Sequence, residues 1–125
     1  MTADDSARAI RVERVRRYYK LVDQGKTAEL VALFSPDAVY HRPGYPTITG
    51  REELSCFYDG ERMIREGRHT ISTLISSSVE VAVHGQFHGV LRDGREVALR
   101  FADFFTFTEA NTFSCRRTFF FTPLV

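Results

Sequence analysis

Residues 95–109 read REVALRFADFFTFTE, and their alternation decides how the rest of the chain is understood. Val97, Leu99, Phe101, Phe105 and Phe107 share one parity, while Glu96, Ala98, Arg100, Ala102, Thr106 and Thr108 share the other. Extended chain sends successive side chains to opposite faces, so the first set predicts the buried face of a strand. Asp103 stands in the middle of that set. A carboxylate there needs partners or a proton, because burying a bare charge is costly. Buried acids gather at functional sites, yet a structural Asp held by backbone or by an Arg has the same signature, so both readings stand.

Outward from this stretch the pattern stays extended. Asp93-Gly94 lies between two alternating runs and predicts a hairpin to a strand over 79–91. A further strand is predicted before it, over 69–76. Glu109-Ala110-Asn111 turns the chain into a last strand over 112–122. The first half is different. Val12, Val15, Tyr19 and Val22 recur at three- and four-residue spacing, with Tyr18 and Leu21 beside them, and predict a helix over 5–23 that stops at Gly25. A short helix over 27–34 ends at Ser35-Pro36-Asp37, and 38–42 reads as a short strand. Thr49 with Glu52 predicts a capping box for a third helix closing at Gly67, its one side carrying Leu54, Phe57, Tyr58, Glu61 and Ile64. Three helices and then four long strands predict an α+β fold, an antiparallel sheet with helices on one face. A strongly curved sheet with helices over its concave side would make a cone with an open mouth.

Composition narrows the function. The 125 residues suit a single domain over 1–125 with one core. A net charge of +1 gives no bulk electrostatic case for nucleic acid or an anionic membrane. No apolar run approaches a membrane span. The charged N-terminus MTADDSARAIRVER lacks the apolar segment of a signal peptide, and two cysteines make no disulfide framework, so a cytoplasmic location is expected. Eight of the 11 Phe lie after residue 100, which places most of the aromatic surface on two neighbouring strands. That surface suits a packed core, a dimer face or a cavity for a flat, apolar ligand.

The order of elements, with RYYKLVDQGKTAELVALFSPDAVYHRPG over 17–44, TGREEL at the third helix and FADFFTF after the hairpin, resembles the nuclear-transport-factor-2-like cone fold. Within it the chain resembles the SnoaL-like cyclases, ketosteroid isomerases and limonene-epoxide hydrolases. The resemblance to the isomerases implies an oxyanion pair made by Tyr18 and Asp103, a site type in which an Asp stays neutral in an apolar pocket. It places their catalytic base at Arg42, which cannot abstract a proton at neutral pH. A ketosteroid-type proton shift is therefore not expected. The resemblance to SnoaL-like cyclases implies Asp103 as acid/base. The resemblance to the hydrolases fails at two points: no acid lies in 117–121, and Phe101 stands where their Arg would be.

The remaining candidates are weaker. His88 shares parity with His84 and Gln86; Gly85 and Gly89 could mark bulges that turn His88 inward as an acid/base. No metal-ligand spacing is present, and neither a metal nor a cofactor is expected. Arg117 shares parity with Phe113, Cys115, Phe119 and Phe121 and could sit across from Asp103. Glu61 is a possible second carboxylate. If Arg42 points into the cone, Tyr40 shares its face and His41 points away. Tyr40, Arg42, Tyr45, Phe57, Glu61, Phe87, Phe101, Phe105, Arg117 and Phe119 are the expected substrate contacts. The expected function is a cofactor-free cyclase of secondary metabolism acting on a small hydrophobic or aromatic substrate. Catalysis would use Asp103 and Tyr18, with His88 in reserve, for aldol-type closure or for epoxide opening by an internal hydroxyl. The alternative is a non-catalytic ligand-binding or dimerising module. A homodimer is expected from the resemblance alone.

Overall fold

The first helix, α1 (Ala3–Gln24), opens on a capping box in which Thr2 and Asp5 exchange side-chain-to-backbone bonds of 3.1 and 3.2 Å. It closes at Gly25, whose φ of 69° lets its N–H reach the last carbonyls. Its buried face is Val15, Tyr18, Tyr19, Leu21 and Val22. A single short helix, α2 (Thr27–Val31), leads into β1 (Phe34–His41), then β2 (Ile48–Thr49) and α3 (Gly50–Cys56). One π-helical turn, Phe57–Glu61, follows. Four long strands complete the chain: β3 (Ile64–Ser76), β4 (Glu80–Leu91), β5 (Glu96–Phe107) and β6 (Phe113–Phe120). This computed structural model describes residues 2–61 and 64–121, without the Glu61 side chain. The expected end of the last strand at Thr122 lies outside those residues.

The fold is α+β: a curved, unclosed six-stranded sheet in the order β2-β1-β6-β5-β4-β3, with three helices. α1 packs on β3 and β4, and α3 on β1. The sheet is mixed rather than wholly antiparallel, because β1 runs parallel to β6. Pro36 and Asp37 sit inside β1, in the irregular stretch between its paired residues Phe34 and Val39. A proline, which cannot donate a ladder bond, is tolerated at such an irregularity. The third helix is shorter than expected because Ile64 already pairs with Leu91 and the sheet takes over the chain. Its expected capping box is absent. Thr49 makes no side-chain cap; instead Glu53 accepts the Thr49 N–H at 3.1 Å, and Gly50 enters at φ 82°.

The alternation of β5 holds: Phe101, Asp103 and Phe105 are buried on the inner face, as are Val81, Val83 and Phe87 of β4. Tyr18 meets Phe34, Phe105 and Phe113 edge-on, with ring centroids 5.6–5.9 Å apart. Each such ring removes roughly 150–250 Å² from water, which makes this cluster the main apolar anchor of α1 on the sheet. Gly67 and Gly89 flank the Phe87 ring so closely that a Cβ would lie 2.1 and 2.5 Å from its Cζ. The absence of a side chain there is what lets Phe87 fold inward. Among the described residues no helix is long and apolar enough to cross a membrane.

Candidate functional site

Asp103 is 0% exposed, and its two oxygens are fully engaged. Arg116 Nη2 lies 2.8 Å from Oδ2, the Tyr19 hydroxyl donates to the same oxygen, and the Thr118 hydroxyl donates to Oδ1. The buried charge thus has the ion pair and hydrogen bonds that burial demands. The network continues on both sides. Thr118 accepts from the Tyr40 hydroxyl at 3.0 Å, and Tyr40 in turn accepts from Arg42 Nη1 at 3.2 Å. Since Thr118 spends its proton on Asp103, Tyr40 must donate to Thr118, and the chain of donors runs in one direction from Arg42 to Asp103. On the other side Arg116 Nη1 donates to the hydroxyls of Tyr18 and, at 3.2 Å, of Tyr58, which bond to each other. The Arg116 guanidinium lies between the rings of Tyr18 and Tyr40, 4.6 Å from each centroid.

Burial pushes both Tyr18 and Tyr19 well above the usual phenol value, and the Asp103 charge adds to the effect on Tyr19. Both are therefore neutral donors. Burial alone would pull Arg116 down, but Asp103 together with Tyr18, Tyr40 and Tyr58 outweighs it, and the guanidinium is held well above its usual value.

Two parts of this arrangement differ from the sequence expectation. The Asp103 phenol is Tyr19, not Tyr18; Tyr18 bonds Arg116 and Tyr58 instead. Both tyrosines are on the buried face of α1, and only the sheet's position decides which one reaches the acid. The guanidinium across from Asp103 is Arg116, not Arg117. Thr106 pairs with Cys115 and Phe107 with Phe113, so Ser114 is an extra residue in β6. That bulge reverses the parity of everything after it, burying Arg116 and Thr118 and turning Arg117 and Phe119 outward.

The interior beyond this network is a cavity of about 20 Å³. Its polar wall is Arg42, His69, Arg116 and Thr118; Phe87, Leu99, Phe101 and Phe120 supply the rings and apolar surface. Asp103 touches it only through Arg116 and Thr118. Of the expected contacts, Arg42, Phe87 and Phe101 line it. Tyr40, Tyr45, Phe57 and Phe105 pack behind it: Tyr45 and Phe57 carry the Arg42 guanidinium at 5.8 and 5.7 Å, and Phe105 lies 5.6 Å from that of Arg116. Phe119 and Arg117 face the outside, and His88 is exposed on the outer face because β4 keeps its alternation through Gly85 and Gly89. His41 is exposed, as its parity predicts. The Glu61 side chain lies outside the described residues. Among the described residues no group of three or more His, Cys, Asp or Glu is placed to hold a metal.

One pair had no signal in the sequence. His69, at an inward position of β3, bonds Asp23 of α1 twice, through its backbone N–H at 2.9 Å and through Nδ1 at 2.6 Å. Its side chain is 10% exposed and packs against the rings of Tyr19, Phe87 and Phe101. The same imidazole also borders a groove of about 1010 Å³ between α1 and β3. No motif joins residues 46 positions apart, so only the packing of α1 on β3 brings them together.

The description of the SnoaL-like domain family matches residues 15–111. Solved structures share the fold over most of both chains. One is an epoxide hydrolase/cyclase-like enzyme, SalBIII, described in pyran ring formation in the polyether salinomycin; it is 21% identical, with a TM-score of 0.78 over 88% of this chain and 89% of that one. A second is an NTF2-like protein of unknown function from Burkholderia pseudomallei, 20% identical, with a TM-score of 0.81 over 89% and 90%. A third, of unknown function with a cystatin-like fold, is from Methylobium petroleophilum; it is 21% identical, with a TM-score of 0.77 over 94% and 80%. No curated protein sequence matches the chain. At these identities the structural likeness speaks for the fold.

Proposed function

Because the chain belongs to the SnoaL-like domain family, we propose that it is a cofactor-free enzyme that closes a ring in a small hydrophobic molecule by acid/base catalysis inside the cone. The observation that carries this reading is the buried network itself. An ion pair, three phenols and a threonine hydroxyl are held out of water, and two of their members, Arg116 and Thr118, form part of the wall of the cavity. Even a satisfied buried ion pair is often no more stabilising than apolar packing of the same volume, so stability alone gives little reason for this network. Preorganised donors in a dry pocket stabilise developing charge far better than water does, and confinement brings the two ends of one substrate together. Asp103 acts from behind this wall by fixing Arg116 and Thr118; Tyr18 acts on Arg116. The likeness to a cyclase-like enzyme of polyether formation favours a polyketide-type substrate.

The test is turnover. Purified protein is offered hydroxy-epoxides and poly-β-ketones, and cyclised product is followed by mass spectrometry. Asp103→Asn and Thr118→Val should each lower kcat by at least about tenfold with a smaller change in KM. No turnover of either substrate class, with Asp103→Asn binding ligands as the natural chain does, would leave the second reading.

That second reading, a non-catalytic binding or dimerising module, is favoured by one observation: the cavity beside Arg116 and Thr118 holds about 20 Å³, little more than a water molecule needs. A homodimer through the outer sheet face is part of either proposal. Phe104, Phe119 and Phe121 are 36, 52 and 47% exposed there, an apolar patch of the kind that marks an interface.

A further inference from the structure

We propose that the groove between α1 and β3 is a binding site for an anionic amphiphile, a carboxylate carried on an apolar chain. Arg16, Lys20 and Arg68 hold the head, and the chain lies along Ala9, Val12 and Ile71. This site goes beyond ring closure in the interior and does not depend on it. Among the described residues only His69 borders both spaces.

Size and floor come first. The groove encloses about 1010 Å³, room for a drug-sized molecule, whereas the interior cavity holds about 20 Å³. One wall is a helical row: Arg8, Val12, Arg16 and Lys20 follow each other at four-residue spacing and share a side of α1. The other wall is β3, the edge strand of the sheet. Val12 and Ile71 are half-buried and pack on the core, so the floor between the walls is an apolar surface continuous with the core.

Charge comes second, and it is uneven along the groove. Asp5, Arg8 and Glu13 line the half near the start of α1, where the signs alternate. Arg16, Arg17 and Lys20 line the other half. Arg68 joins that end, because its neighbour His69 is bonded to Asp23, one turn beyond Lys20. Glu13 stands one turn before Arg17, the orientation that favours a helical pair. Asp23 gives both of its oxygens to His69. Arg16 and Lys20 are themselves one turn apart, and like charges at that spacing weaken a helix. Arg16, Lys20 and Arg68 are all exposed. A carboxylate between them relieves the repulsion, and its two oxygens match the fork of a guanidinium.

A cationic end and an apolar floor together define the ligand. A neutral chain leaves the cations unanswered. A multiply charged anion gains nothing from Val12 and Ile71 and meets Asp5 and Glu13 farther along. A bilayer presents its head groups on a plane, whereas this surface is concave. A single carboxylate on an apolar tail satisfies both ends.

The probe is decanoate, titrated into the full chain by calorimetry below its micelle concentration, with decan-1-ol as the uncharged control. One decanoate should bind per chain, at least about tenfold more tightly than decanol. Raising salt from about 0.1 to about 1 M should weaken it several-fold. The methyl NMR signals of Val12 and Ile71 should shift on binding. Arg16→Gln, Lys20→Gln and Arg68→Gln should each weaken decanoate several-fold and leave decanol unchanged. Arg100→Gln, on the outer sheet face, and Thr118→Val, in the interior network, should bind decanoate as the natural chain does. Equal affinity for decanoate and decanol, no binding, or a loss as large with Thr118→Val as with Arg68→Gln would each overturn the proposal. Adsorption to phosphatidylglycerol vesicles without binding of dissolved decanoate would overturn it too. Failure of every ring-closing substrate would count against the interior reading alone.

Discussion

The two faces of β5 and β6 are built from the same residue types and do opposite things. Inside, Phe101 and Phe105 flank Asp103, and Arg116 is 4% exposed and locked to it at 2.8 Å. Outside, Phe104 and Phe119 touch edge to face at 5.8 Å, and Arg100 covers Phe121 at 4.6 Å. Each face pairs rings with an arginine. Among these residues only the inner face adds a carboxylate, and it excludes water. The difference shows that residue type does not set the role of an Arg–Phe surface; solvent does. An arginine over a ring in water is worth little, whereas one pinned between two rings against a buried Asp is a fixed charge.

The sharpest way to break the comparison is to remove one inner charge. Asp103→Ala leaves Arg116 buried without its counter-ion and should cost about 3–5 kcal/mol in urea unfolding. Arg117→Ala, one residue along on the outer face, should stay within about 0.5 kcal/mol. Equal effects would erase the distinction. Next in size is Tyr19→Phe, which deletes a hydroxyl bonded to Asp103 and should cost about 1.5–3 kcal/mol by the same measurement.

A pH series sharpens the contrast without mutation. Burial raises Tyr18 and Tyr19 above the ordinary tyrosine value of 10.0. The folded protein keeps these protons where the unfolded chain releases them, so their contribution is complete below pH 10.0 and is lost as pH rises beyond it. Each group should add a fall of up to about 1.4 kcal/mol per pH unit in that range, and Tyr19→Phe should flatten the slope by its share. The smallest effect on stability belongs to the outer face. Phe119→Ser should change unfolding of the monomer by about 0.5 kcal/mol or less, yet in sedimentation it should shift a dimer toward monomer.

How much of this was legible in the chain depends on distance along it. The parity of residues 95–109 was enough to bury Asp103 among Phe101 and Phe105, and the Asp93-Gly94 hairpin was enough to pair β4 with β5. The Arg that meets Asp103 was off by one, because the extra residue Ser114 leaves no mark in an alternating string. The phenol was off by one for a related reason: neighbours on a helix can share a broad buried face, and the partner's position selects between them. Asp23 and His69 were invisible as a pair.

The sequence by itself determined the order of helices and strands and which side of β5 is buried, since both follow from periods of 3.6 and 2 carried by neighbouring residues. Tertiary structure alone decided that β1 runs parallel to β6, that Arg116 rather than Arg117 turns inward, and that an imidazole from β3 meets a carboxylate from α1. Those outcomes depend on strand register and on the docking of a helix against a sheet. Such contacts join residues far apart in the chain, and no local pattern records them.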